Sequence, residues 1–207
     1  MAPPGISRLH ASAQTALAVP LRYAQAGSSL AHAALAGARV FEVFRHYPGR
    51  DVVDAAAGTR FYYHAHRLDE PEHGHFHLFV HGEQPGEFMH LAALSLDVRG
   101  QPLRWFTTNR WVTGEHWRPA AQLLPRLRRW QVQTGGRLAP VACWLSAMVA
   151  LYRDELAQLL RERDALLAPR LQGRSRADRE ALFEDRSLDV ISECPALLAP
   201  KIAQLVP

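Results

Sequence analysis

Cysteine, lysine and long apolar runs are all scarce in this chain, and each scarcity closes off a class of protein. Cys143 and Cys194 are the only cysteines, too few and too far apart for a disulfide framework or a thiolate zinc cage, so a reducing, cytoplasmic setting is expected. No apolar run approaches the ~20 residues that cross a bilayer, and the first residues lack a charged segment followed by a continuous apolar core. Neither membrane insertion nor export is expected. Lys201 is the sole lysine among 24 basic residues, the rest being arginine. Because the net charge is only +4 and the basic residues are spread along the chain, no nucleic-acid partner is expected despite a pI near 9.5. The densest basic run, Arg126, Arg128 and Arg129, reads as the solvated side of a helix. The GxGxxG fingerprint, the phosphate loop and the GxSxG nucleophile elbow are missing, which removes the common nucleotide-binding and hydrolase families.

What is present is an ordinary globular balance, 21% charged and 48% hydrophobic, over 207 residues. That length suits one core, read here as a loose N-terminal arm over 1–28, an α+β domain over 29–193 and a tail over 194–207. Helix-like spacing runs from Ser29 to Tyr47 and stops at Pro48-Gly49. Aromatic and β-branched residues then dominate, predicting a four-stranded antiparallel meander with strands at 59–68, 75–81, 88–98 and 101–111. Thr113 is placed to cap the helical region that fills 115–167, with Pro125 dividing it, and these helices are expected on one face of the sheet. A short helix and a strand near Ser187 to Ser192 complete the reading. Cys143 sits among Val141, Trp144 and Leu145 and reads as a buried, inert thiol.

Seven of the eleven histidines lie between His64 and His90. Strand alternation places Phe61 and Tyr63 on one face and Tyr62, His64 and His66 on the other, while Phe76, Leu78 and Val80 oppose His75, His77 and His81. Sharing the apolar sets in one core pairs Leu68 with His75 and so sets His66 opposite His77. Pairing His81 with Phe88 and closing the Arg99-Gly100 turn then brings His90 and Asn109 into one row, with Ala92 and Thr107 beside His77. Phe79, Leu94, Leu96 and Trp105 fall on that same face, so some element, the N-terminal arm being the candidate, should partly cover it.

Two histidines at i, i+2 with a third opposite approximate the tripod that holds a catalytic transition metal, zinc or iron, with one position left open. His64, His66 and His77 form the first ligand set, and His75 and His90 are a fourth ligand or a proton-transfer group. Glu72, Glu83 and Glu87 are the candidate carboxylates. Asn109 and Arg110 are placed to position a small-molecule substrate, Arg110 through a carboxylate or phosphate; the alternative is a strand-to-helix junction held by an Arg–Glu pair. His10, His32 and His46 have no neighbouring ligand pattern and read as incidental. The leading function is a metal-dependent enzyme of unassigned reaction. A non-catalytic haem- or metal-binding protein using the same histidines, or an interaction module with no metal site, are the alternatives, and oligomeric state is not legible.

The segments Tyr62-Tyr63-His64-Ala65-His66-Arg67, His73-Gly74-His75-Phe76-His77-Leu78-Phe79 and Thr108-Asn109-Arg110-Trp111-Val112-Thr113 resemble a proteobacterial protein family of unknown function. The resemblance covers most of residues 40–190 and implies a bacterial, single-domain protein. It brings no catalytic residue with it. The paired histidines are also similar to cupin metal sites, but the glutamate and second motif of a cupin do not follow at workable spacing.

Overall fold

The computed structural model describes residues 4–66 and 71–205, with side chains from residue 8 onward. In chain order the described elements are helix α1 (Pro4–Gln25), α2 (Leu30–Ala34), strands β1 (Tyr47–Asp54), β2 (Thr59–His64), β3 (Glu72–His81), β4 (Phe88–Asp97) and β5 (Pro102–Thr108), and helices α3 (Arg110–Thr113) and α4 (Ala120–Leu127). A 3-10 turn (Gly136–Leu138) leads into α5 (Ala139–Leu151), α6 (Arg153–Leu171), α7 (Arg176–Phe183), β6 (Val190–Pro195) and α8 (Leu198–Ala203). The fold class is α+β. Its sheet has six strands in the order β1-β2-β3-β4-β5-β6, every neighbouring pair antiparallel, rather than the four expected. The expected meander is β2 to β5. The missed edge is β1, whose Pro48-Gly49 reads as a helix stop; β6 overlaps the strand expected near Ser187 to Ser192, but it returns after five helices to pair with β5 as the other edge of the sheet.

The N-terminal residues differ from the loose arm expected. Over α1, Ala13, Ala16 and Val19 recur on one side and are buried against the helical layer. Pro20 has no N–H to give the carbonyl one turn before it, and that carbonyl, Ala16 O, accepts instead from the Trp144 indole of α5 at 3.2 Å. Ser29 does cap a helix, accepting from the His32 amide at 3.1 Å, but Ala36 (φ 56°) and Gly37 (φ 89°) turn left-handed and end it far short of Tyr47. After β5 the cap is Asn109, not Thr113, and the helical region divides at more points than Pro125 alone. Cys143 is exposed, because α5 gives its buried sides to Val141, Trp144, Leu145 and Met148. No described helix is long and apolar enough to cross a membrane.

One face of the sheet carries Phe61, Tyr63, Phe76, Leu78, Leu94, Leu96 and Trp105 into a single cluster with residues of α1, α5 and α6. Each such side chain taken out of water contributes about 1.5–3 kcal/mol. The register beneath them corrects the expected pairing: His64 lies opposite His75, and His77 lies opposite Tyr62 instead of His66. Leu68 and most of the Asp69-Glu70-Pro71 turn fall outside the described residues. The slip of four residues is even, so it leaves every side chain on its expected face.

Between β3 and β4 the expected pair of His81 with Phe88 forms and continues to Phe79 opposite His90, but the next pair is Leu78 with Ala92. Leu91 is therefore an extra residue, and the bulge exchanges the two faces of β4 from that point. Leu94, Leu96 and Trp105 consequently lie under the helices, not beside the histidines, and Ala93 rather than Ala92 sits opposite His77. Gly74 is needed where β3 passes β2, since a Cβ there would stand 2.6 Å from the His64 carbonyl oxygen and 2.8 Å from the Tyr63 hydroxyl. Gly74→Ala should accordingly lose about 1–3 kcal/mol in urea unfolding, the usual cost of overpacking. Gly49→Ala, with nothing within 4 Å of its Cβ, should lose nothing; equal midpoints for the two variants would refute the close approach.

Candidate metal centre

The second face of the sheet is also buried, and it holds Tyr62, His64, His75, His77, Phe79, His90, Ala93 and Phe106. His64, His75 and His77 each offer a ring nitrogen within 4.8 Å of the others, and all three are buried. His64 and His75 meet because they are cross-strand partners; His77 follows His75 on the same face two residues on. His77 Nε2 and His64 Nε2 are 3.1 Å apart. The edge of a tetrahedron with metal–nitrogen bonds of 2.0–2.1 Å is about 3.3 Å, so this pair stands at ligand spacing.

The outer nitrogens of two of the three are tied down. His75 Nδ1 bonds Glu72 Oε1, which leaves His75 Nε2 buried with no partner. His77 Nδ1 lies 2.9 Å from His90 Nε2, and His90 Nδ1 lies 3.3 Å from Thr108 Oγ1. If the Thr108 oxygen accepts from His90 Nδ1–H, then His90 Nε2 accepts from His77 Nδ1–H, and the His77 lone pair is on Nε2, facing His64. Carboxylate and imidazole partners of this kind select the ligating tautomer and raise ligand basicity.

Burial, reinforced by neighbouring imidazoles, holds His64 down to about 2 and His77 well below the usual histidine range. Burial and the Arg163 charge hold His90 to about 3. All three are neutral, as metal ligation requires. Burial alone would push Glu72 up, but the His75 hydrogen bond and the charges of His75 and Arg104 bring it below the ordinary glutamate value. Glu115 is pushed up to about 7 by burial, against the opposing Arg163 charge; its Oε2 accepts from the His90 amide at 2.6 Å and its Oε1 has no partner.

His66 flanks the group, its ring 4.7 Å from His64 and 5.1 Å from His75, and it lines a cavity of about 310 Å³ with Glu72 and His75. The structure does not bring the other candidates there. Glu83 and Glu87 lie in the β3–β4 hairpin, where Glu87 faces His116 and Arg118 at 3.9 Å. Asn109 is buried with its amide donating to Leu182 O at 2.9 Å while its oxygen accepts from the Arg110 amide, so it joins β5 to α7 instead of facing the histidines. The bulge explains this, since it is Thr108 that reaches His90. Arg110 pairs with Glu180 and Glu184 at 2.7 Å each, the junction arrangement given above as the alternative.

Cover for this face comes from the segment between α2 and β1, not from the N-terminal residues. Phe44 stacks on His66 at 5.5 Å and His46 stacks on Tyr62 at 3.7 Å. His46 is thus no bystander: its Nδ1 lies 3.1 Å from Asp51 Oδ1 and its ring 5.6 Å from His64. Recognising β1 as a strand would have placed it; the unusually polar run from Phe106 to Glu115 holds Thr108 and Glu115 without singling either out, and nothing in the local sequence points to Arg104.

A family model described as a domain of unknown function, DUF6969, matches residues 10–196. The chain belongs to that family. Comparison with curated proteins found no match, and comparison with solved structures found none. The DUF6969 match takes in all six strands and so every residue of the histidine group.

The neutral histidines impose a pH dependence on the metal-free chain. Unfolded histidines take up protons near pH 6.5, whereas His64, His77 and His90 stay neutral in the fold far below that value. The unfolded state therefore binds more protons below pH 6.5, and stability falls on acidification by up to about 1.4 kcal/mol per pH unit for each of the three. Urea midpoints measured in chelator at pH 7.5, 6.5, 5.5 and 4.5 should be level at first and then drop steeply. A flat profile down to pH 4.5 would contradict the burial of neutral imidazoles.

Proposed function

We propose that the chain is a metal-dependent enzyme whose ion is held by His64, His75 and His77. The observation that carries this reading is the unpartnered, buried Nε2 of His75, in a group with two imidazole nitrogens 3.1 Å apart and on a residue that lines the cavity. A buried ring nitrogen without a partner costs about 1–3 kcal/mol, which a shared cation would relieve. Glu72 would orient His75, and the His90–Thr108 pair would orient His77. His66 would stand at the rim, facing the cavity as an acid–base or binding group. Three protein ligands beside a cavity is the catalytic pattern, whereas a storage or delivery site closes its fourth position. When bound, the ion would supply Lewis acidity, polarising a carbonyl or lowering the pKa of a water, the role of zinc in three-histidine sites.

Untagged protein purified without chelator should carry up to one transition-metal ion per chain by elemental analysis. His64→Ala and His77→Ala should lose it together with the rise in melting temperature on metal addition, and Glu72→Ala should weaken retention by about 10–100-fold. His32→Ala should do neither. The visible spectrum of the cobalt-loaded protein should shift on adding azide, since azide needs a free coordination position; an unresponsive spectrum would point to a closed, non-catalytic site. Unchanged metal retention in His64→Ala and His77→Ala would sink the proposal.

A further inference from the structure

The three proposed ligands are buried to different depths, His77 completely (0% exposed) and His75 and His64 nearly so (3% and 5%), and an ion has to reach them from water. The cavity beside them, about 310 Å³ with room for about ten water molecules, meets the group at His75, whose Nε2 is the nitrogen without a partner. Exposed Asp189 and half-buried His66 also line it, so it is open to water. Its charged groups are unbalanced. Glu72 and Asp189 line it against Arg104, and Glu193 is already bonded to Arg104, which makes three carboxylates to one guanidinium. A recess with that excess concentrates cations at its mouth.

His66 stands between that mouth and the buried nitrogens. Its ring centre is 4.7 Å from that of His64 and 5.1 Å from that of His75, yet it does not share the spacing, within 4.8 Å, that groups the ligand nitrogens of His64, His75 and His77. It thus adjoins the two ligands nearest the surface. Phe44 holds the ring there, stacking on His66 at 5.5 Å while its own amide donates to Ala65 O at 2.8 Å. The Phe44 backbone is left-handed (φ 61°), a conformation a phenylalanine rarely adopts, and the side chain is 71% exposed, so burial is not what keeps it over the histidine.

We infer that His66 is a transfer ligand: it takes the incoming ion together with His75 Nε2 and gives way as the ion passes to His64 and His77. This rests on the metal reading above and adds the route by which the site fills. Each exchange replaces one donor on the ion by another, water by imidazole and then imidazole by imidazole, so no electron is transferred. After the passage His66 is left lining the cavity, and the fourth position stays open. A permanently bound His66 would instead close the site.

The test is stopped-flow mixing of the metal-free full chain with cobalt chloride, followed through the visible absorption of the bound ion, together with its removal by excess EDTA. His66→Ala and His66→Gln should slow uptake and release alike, each by at least about tenfold, a barrier higher by about 1.4 kcal/mol. Affinity and final spectrum should match the parent's, because a residue that acts only in passage changes both rates and not their ratio. Asp189→Asn should slow uptake by a smaller factor that vanishes at high salt, as a screened surface charge requires. Lower affinity with an altered spectrum in both His66 variants would make His66 a resident ligand and overturn the inference; so would parental rates in both. Either result leaves the metal centre standing. A parent chain that takes up no cobalt would remove the metal reading, and the transfer role with it.

Discussion

At Leu91 the fourth strand carries one residue more than its partner, and that bulge is the constraint on which the two-faced sheet depends. Without it, strand alternation would force a choice. A register continued from the His81–Phe88 end turns Leu94 and Leu96 toward the histidines; one continued from the Gly74–Leu96 pair sends His90 under the helices. With the bulge, β4 gives Leu94 and Leu96 to the helical core and His90 to the imidazole face. Gly74 has a related role on the neighbouring strand, removing the side chain that would keep β3 from closing on His64.

The second face is unusual in what it buries. An ordinary second layer would be apolar, but here imidazoles fill it: His77 spends its nitrogens on His64 and His90, His90 spends its own on His77 and Thr108, and His75 gives Nδ1 to Glu72 and leaves Nε2 unpartnered. Ring stacking with Tyr62 and Phe79 supplies the packing that aliphatic groups would otherwise provide. Such a layer tolerates few protons, because an added charge would be stranded among groups already shielded from water. The fold thus keeps His64, His77 and His90 in their deprotonated form.

Around that layer the charged residues divide by purpose. Arg110, Glu180 and Glu184 fasten α3 to α7, and Asn109 caps the same junction, so the polar run after β5 is chiefly joinery. Arg163 is buried with its guanidinium on Arg118 O and Asp164 and its face 5.0 Å from the centre of the Trp117 ring, another fastening of helix to loop. Arg104 differs in lining the cavity, and it reaches it because β5 alternates and Arg104 shares a face with Phe106 and Thr108.

The sequence by itself determined the α+β class, the four inner strands within a few residues, and which face of β2 and β3 each histidine occupies. Those follow from local alternation, which depends only on near neighbours along the chain. It left undetermined which histidines touch, because registers differing by an even number of residues satisfy the same alternation, and the slip that replaced His66 by Tyr62 opposite His77 is of that kind. Tertiary structure decided that pairing, and also placed the bulge at Leu91, the edge strands β1 and β6, and the approach of His46, Arg104 and Glu115 to the histidine face. Each of these is settled by contacts between segments distant in sequence, where burial and loop closure outweigh any local preference.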